Sequence, residues 1–157
     1  ETDYGRELKR ITYKKLSSTT IYLKKKIDAL KNSFGVLIPR DQKLHTIGIL
    51  SNSDIFPFNY QDHPSYTFIS PEIDEIKEKV ISDLQQLAPE IKSEDFIYAE
   101  TKLYPEALPL YNKERREAIE NLHLLARQDE GLILFGNYVA GISLREMITA
   151  AKNFSIQ

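Results

Sequence analysis

Three histidines, no cysteine and one glycine-flanked corner near the end of the chain are the residues from which chemistry would have to be built. His45, His63 and His123 stand 18 and 60 residues apart, so no two of them share a helix face at the spacing that metal-binding pairs use. They read as surface or core-edge histidines, and no metal site is expected. Without cysteine there is no thiolate zinc site, no disulfide framework and no cysteine nucleophile. Ser143 lies in Gly141-Ile142-Ser143-Leu144-Arg145. That stretch lacks the second glycine of a nucleophile elbow and falls where a helix cap is expected, so it does not indicate a hydrolase. The Lys24-Lys25-Lys26 run and the group Lys113, Arg115 and Arg116 could meet phosphates, but each lies among acidic neighbours and the formal net charge is -2. The nine tyrosines lack the basic interleaving of a base-stacking platform, and no nucleic-acid partner is expected. The corner consists of the apolar run Leu132 to Phe135, then Gly136-Asn137, Gly141 and a helix start at Ser143. A glycine turn between strand and helix lets the backbone approach a ligand and points unpaired helix N–H groups at a carbonyl or phosphate. On physical grounds alone a ligand corner and a structural turn explain it equally well.

These residues must be positioned by about one domain of chain, 157 residues that are 41% hydrophobic and 28% charged, a composition that excludes disorder. The longest apolar runs, Leu132 to Phe135 and Tyr138 to Ile142, fall far short of the roughly 20 residues that cross a bilayer. No transmembrane segment is expected, and the expected location is cytoplasmic, with peripheral membrane contact left open. The opening Glu1-Thr2-Asp3-Tyr4-Gly5 has neither an initiator Met nor a signal pattern and reads as the start of a piece of a longer chain.

Leu8 and Ile11 fit a short first helix ending near Thr12. Residues 16–24 alternate Ile21 and Leu23 with Thr20, Tyr22 and Lys24, as a half-buried strand does. Residues 34–39 and 44–50 are two strands expected to pair antiparallel through the polar 40–43 connection, and 65–69 is a fourth. Ser70 and Pro71 read as the N-cap and first position of a helix carrying Ile73, Ile76, Val80, Leu84 and Leu87 inward, stopped by Pro89. A fifth strand over 96–103 precedes a loop containing Pro105 and Pro109. Asn112 opens a helix to Arg127 with Ala118, Ile119, Leu122 and Leu125 inward and Lys113, Arg115, Arg116 and Glu120 outward. A short strand over 132–135, a turn over 136–141 and a last helix to about Lys152, with Ser143 and Glu146 at capping-box spacing, complete the chain. The predicted class is α+β, an antiparallel-rich mixed sheet with helices packed on one face.

Four stretches, in order, resemble the C-terminal part of the flavin-dependent protoporphyrinogen oxidases, within the flavin amine oxidase superfamily. Ser33-Phe34-Gly35-Val36-Leu37-Ile38-Pro39 is similar to the family's Gly-Phe-Gly-x-Leu-x-Pro, and residues 46–57, with Gly48, Ser53, Phe56 and Pro57, to its Leu-Gly-x-x-x-x-Ser-x-x-Phe-Pro. Ala107-Leu108-Pro109-Leu110-Tyr111 is similar to Ala-x-Pro-x-Tyr, and residues 131–144 to the closing flavin segment, the most specific of the four. Residues 8–22 also resemble the lead into the family's substrate domain, so the likeness covers nearly the whole chain.

The resemblance implies a fragment of a two-domain FAD oxidase, with residues 1–130 in the substrate-binding domain and 131–157 supplying the last strand and helix of the FAD-binding domain. It implies that Gly136, Asn137 and Gly141 shape the flavin corner and that backbone groups of Ile142, Ser143 and Leu144 approach the pyrimidine end of the isoalloxazine ring. There the helix dipole would stabilise negative charge when the ring accepts hydride. Ala107, Leu108 and Pro109 would flank the ring, while Leu37 and Phe56 would either face a porphyrinogen pocket or pack in a core. The implied reaction is removal of hydrogens from protoporphyrinogen IX to give protoporphyrin IX in haem biosynthesis, with oxygen reoxidising the flavin; no catalytic acid or base can be named. The sequence departs from the family at Tyr104, where a Trp is common, and at Glu114-Arg115, where many members have Gly-His. The dinucleotide fingerprint is also missing, because the glycines stand at 5, 35, 48, 131, 136 and 141. The segment alone is therefore expected to be inactive, without bound FAD, and to form homo-oligomers through exposed edges. A related amine or carotenoid oxidoreductase, or a binding module that lost its flavin half, would share these features.

Overall fold

The computed structural model describes residues 2–59, 62–71, 74–129 and 132–153. It forms two compact units, one of residues 15–104 and one of residues 1–14 with 105–157. The elements in chain order are α1 (Asp3–Lys9), β1 (Tyr13–Leu23), β2 (Gly35–Leu37), β3 (Gly48–Ser51), α2 (Asn52–Ile55), β4 (Ser65–Pro71), α3 (Ile76–Leu87), β5 (Phe96–Pro109), α4 (Lys113–Ala126), α5 (Asn137–Ala140) and α6 (Leu144–Lys152). The strands form one sheet in the order β2-β3-β4-β1-β5. β1 runs antiparallel to β4 with Thr19 opposite Phe68, β4 to β3 with Phe68 opposite Ile49, and β3 to β2 with Ile49 opposite Val36. The chain is thus an antiparallel sheet with helices, as its α+β pattern indicated.

The period of two fixes which side of β1 is covered. Ser17, Thr19, Ile21 and Leu23 are buried and the residues between them are not. Ile21, Leu23, Ile49, Tyr66 and Phe68 join Val80 and Leu84 of α3, with Ala88 and Ile91 beyond it, in the larger core. Each large apolar side chain fully buried there is worth about 1.5 to 3 kcal/mol against exposure. Tyr66 spends its polar end inside this core, its hydroxyl accepting the Ile27 N–H at 2.9 Å.

Several elements differ from the expectation drawn from sequence. Ser70 and Pro71 do not cap α3; they end β4, opposite Ser17 and Leu16, because the alternation of buried Tyr66, Phe68 and Ser70 carries the strand through them. α3 starts later, after Glu75 at φ 52, and Leu87 at its end is exposed rather than inward; Ile73 lies outside the described residues. β5 does not stop before Pro105 but continues to Pro109. It is an edge strand, where a residue without N–H need not interrupt a ladder. The β2–β3 hairpin pairs over fewer residues than expected. His45 and Thr46 leave the ladder because both bond to Asp83 of α3, at 3.1 Å from His45 Nδ1 and 2.7 Å from the Thr46 N–H. The apolar run 132–135 forms no strand, since none of the described strands pairs with it, and residues 137–140 form a helical turn rather than an open one. Residue 131, the expected start of that strand, lies outside the described residues.

Candidate functional site

The second unit is held by α1 and α4. Ile11, Ala118 and Leu122 are its buried centre, and Tyr4, Tyr13, Ile119, Leu134 and Tyr138 pack around them. Thr2 caps α1 by accepting the Gly5 N–H at 3.2 Å. Arg10 bridges Glu7 at 2.7 Å and Glu117 of α4 at 2.9 Å, and Asn121 donates to Glu7 at 3.1 Å. The Glu7 carboxyl is held below its usual range by that Asn121 hydrogen bond, opposed by burial and reinforced by Arg10. Tyr4 donates to Asp129 at 2.6 Å, and burial together with that bond pushes its hydroxyl up to about 12. Leu134 and Tyr138 therefore seat the C-terminal corner on a rigid helix pair.

Within the corner, Gly136 and Gly141 bracket α5 at φ 147 and φ 121, backbone states that side chains strongly disfavour. A Cβ on Gly136 would lie 2.8 Å from the Tyr138 ring, and one on Gly141 would lie 2.6 Å from Glu146 Oε2. Ser143 then caps α6: its Oγ accepts the Glu146 N–H at 3.1 Å while Glu146 Oε2 accepts the Ser143 N–H at 3.1 Å. The capping box read from the sequence is present in full. It spends two of the donors at this helix start, leaving the Leu144 and Arg145 N–H groups directed outward without an intrahelical acceptor. The hydrogen bonds from Ser143 hold the Glu146 carboxyl below its usual range, so it is ionised at neutral pH. A neutral carbonyl acceptor suits this start better than an anion, because the carboxylate offsets much of the dipole.

Ile142 and Leu144 are exposed, Asn137 is half-buried and Gly141 is buried. Leu144, Met147, Ile148 and Ala151 form an apolar stripe on α6, with Leu144 76% and Ile148 57% exposed. Beside it an open cavity of about 290 Å³ is lined by residues 132–135, Val139, Ala140 and Ala150 together with His123, Ala126 and Arg127 at the end of α4. Ala107 and Leu108 are half-buried and Pro109 buried at the end of β5. They share this unit with the corner, and Tyr13, packed in the same cluster as Leu134 and Tyr138, has its hydroxyl pKa raised by burial, then by Glu106 and Tyr138, against Arg115, which lowers it.

Leu37 and Phe56 fall in the other unit, and the structure does not bring them together. Leu37, 86% exposed on β2, lines an apolar groove of about 450 Å³ with Phe34, Val36, Ile47, Ile49 and Ile69; Phe56 ends α2, half exposed, outside that lining. Arg115 corrects the sequence reading most clearly, because it is buried rather than outward, at 9% exposure. It stands three, four and seven residues before Ala118, Ile119 and Leu122, on the inward stripe, and only its charge disguised the position.

No family profile matches the chain. It is 28% identical over 144 residues to protoporphyrinogen oxidase 1, chloroplastic, of Arabidopsis thaliana, an alignment of 83% of this chain and 27% of that protein. It is 29% identical over 145 residues to the chloroplastic protoporphyrinogen oxidase of Oryza sativa subsp. japonica, at the same two coverages. Against protoporphyrinogen oxidase 2, chloroplastic/mitochondrial, of Arabidopsis thaliana it is 29% identical, over 91% of this chain and 31% of that protein. Among solved structures, a provisionally assigned protoporphyrinogen oxidase from Exiguobacterium sp. 255-15 superposes with a TM-score of 0.73 over 94% of this chain and 35% of its own. Reduced UDP-galactopyranose mutase superposes with a TM-score of 0.70 over 87% of this chain and 30% of its own. Both are 16% identical and show a shared fold. The chain is similar to a part of the protoporphyrinogen oxidases, and it spans about a quarter to a third of the length of the curated relatives it matches.

Proposed function

We propose that the chain is the C-terminal part of an FAD-dependent oxidoreductase that converts protoporphyrinogen IX to protoporphyrin IX. The observation that carries the proposal is the sequence likeness to protoporphyrinogen oxidases along 80 to 91% of the chain. Residues 131–157 are assigned to the FAD-binding domain and residues 1–130 to part of the substrate-binding domain. The corner around Gly136 and Gly141 fits one end of a flavin ring, with two glycine-permitted turns for close approach and the Leu144 and Arg145 N–H groups left to donate to a ring carbonyl. The same residues do not fit a pyrophosphate, since the chain has no G-x-G-x-x-G. The rest of the nucleotide is assigned to chain beyond this segment.

When bound, the flavin supplies two-electron acceptance, which oxygen later reverses. The residues of this chain do the positioning: Ser143 and Glu146 lock the helix start, Tyr138 blocks the space behind Gly136, and Ala107 to Pro109 give an apolar flank. The groove around Leu37 suits the apolar face of a tetrapyrrole. The uncovered stripe of α6 and the cavity beside residues 132–135 are the surfaces that the remaining polypeptide would cover.

An antibody against this segment, used on source cells, tests the proposal by mass. The expected native species is several hundred residues long, binds FAD and oxidises protoporphyrinogen IX. A native species of this size would favour the binding module, and a long one that oxidises amines or carotenoids but not porphyrinogen would move the assignment to another branch of the superfamily.

A further inference from the structure

The first turn of α4 holds a cation where the helix favours an anion. Arg115 is the third residue of the helix, and its own N–H is satisfied by Asn112 Oδ1 at 2.9 Å. Its guanidinium lies over the Tyr111 ring, 3.9 Å from the centroid. Helical side chains lean toward the N-terminus, and Tyr111 precedes the helix, so the charge sits beside the positive end of the α4 dipole. There the N–H groups of Lys113 and Glu114 also lack intrahelical acceptors.

The residue is 9% exposed, and its buried Nε has no hydrogen-bond partner. Among the described residues no carboxylate is within ion-pair distance of it. Glu117 is taken by Arg10 and Lys113, while Glu106, which opposes Arg115 in its effect on the Tyr13 hydroxyl, and Glu114 are exposed. A buried charge without a partner is among the most expensive arrangements a fold can hold. Burial, placement at the positive helix end and an orphaned Nε are three unfavourable features with one remedy, an anion. The Tyr111 ring covers one side of the guanidinium, and the unpartnered Nε–H with the neighbouring Nη–H has the side-on fork geometry that matches two oxygens of one group.

We propose that Arg115, the Tyr111 ring and the α4 N-terminus form a binding site for a small oxyanion, phosphate or carboxylate, taken from solution. The site uses none of the residues assigned to the flavin corner, because Tyr111 and Asn112 lie in the connection between β5 and α4 and Arg115 lies in the first turn of α4.

The test is thermal unfolding and titration calorimetry of the 157-residue chain with inorganic phosphate, and separately with acetate, against chloride at matched ionic strength. The expected result is a saturable rise in Tm of about 3 to 6 °C with phosphate and measurable binding heat, neither produced by chloride. A response to acetate as well would make the ligand class oxyanions in general, and a response to phosphate alone would narrow it to phosphate. Arg115→Met should lose the response while its anion-free Tm stays level or rises, since an unpaired buried charge has been removed. Arg115→Lys, which keeps the charge without the fork, should weaken binding at least tenfold. Absence of a saturable effect in the wild type overturns the proposal, as does an equal response in Arg115→Met. So does a fall of several degrees in the anion-free Tm of a folded Arg115→Met that Glu106→Gln reproduces, because Glu106 would then be the hidden partner.

Discussion

Replacing Asp83 by alanine should unfasten the β2–β3 connection from α3. Asp83 is 3% exposed, and one carboxylate oxygen accepts the buried Thr46 N–H at 2.7 Å while the other meets His45 Nδ1 at 3.1 Å. A hydrogen bond to a charged acceptor is worth about 1.5 to 3 kcal/mol, and truncation also leaves the Thr46 N–H buried without a partner. Thr46 Oγ1 is also buried without a hydrogen-bond partner, so the truncation would leave two polar groups of one residue unsatisfied. The His45 contact adds little, because its side chain is 44% exposed and exposed ion pairs contribute about 0 to 1 kcal/mol. Asp83→Ala is therefore expected to cost about 2 to 3 kcal/mol. Asp83→Asn, which keeps an oxygen for the Thr46 N–H but loses the charge, should cost roughly half that, and His45→Ala under about 1 kcal/mol. Urea unfolding at neutral pH reads these as shifts in midpoint at constant m, and hydrogen exchange at the Thr46 amide should accelerate in step. An Asp83→Ala variant within about 0.5 kcal/mol of wild type, or an Asp83→Asn as damaged as Asp83→Ala, would refute the assignment of the energy to that one backbone donor.

Gly141→Ala should destabilise the corner by about 1 to 3 kcal/mol, since φ 121 is disfavoured for alanine and the added carbon pushes on the Glu146 carboxylate; faster amide exchange in α6 is the measurement. Acid should weaken the sheet unit through Asp54 and Asp95. Burial raises the Asp54 pKa, but Lys26 and Ser51 outweigh it and hold the group low, while the Lys92 N–H and then Lys25 lower that of Asp95. Folded values below the unfolded ones mean stabilisation that is complete above about pH 4 and lost as pH falls through the folded values. Urea midpoints from pH 6 to 2 should drop less steeply in Asp54→Asn/Asp95→Asn than in wild type. The isolated chain should also associate through its uncovered apolar positions, Leu144 and Ile148 on α6 and Phe34 and Leu37 at the sheet edge; light scattering that gives the monomer mass at every concentration would contradict this.

Sequence reading recovers what depends on local spacing. The alternation in β1, the Asn112 cap of α4 and the Ser143–Glu146 box all follow from neighbours a few residues apart, and the structure has each of them. What it misses depends on partners far along the chain. Ser70-Pro71 is a sound helix start in isolation, and only pairing with Ser17 and Leu16 makes it a strand end. Pro105 breaks a strand unless the strand lies at an edge, which is a property of the sheet order. The run 132–135 has the composition of a strand but no ladder to join among the described residues. Of the site, the glycines and the cap were visible as types and spacings, whereas the burial of Arg115 required trusting its place on the helix over its charge.

The unit built on α1 and α4 is discontinuous, with residues 15–104 intervening between its two parts. Its contacts include Arg10 with Glu117, separated by 107 positions. During synthesis at about 5 to 20 residues per second, α1 leaves the ribosome well before its partner helix exists. Ile11 and Tyr4 then wait on the order of 5 to 20 s without their packing surface, while the intervening sheet has all of its own residues first. The nascent chain thus carries an uncovered helix tethered to a folding sheet. A chaperone that binds exposed apolar side chains such as Tyr4 and Ile11 has its longest opportunity at this stage, and a pause in translation before residue 113 would lengthen it.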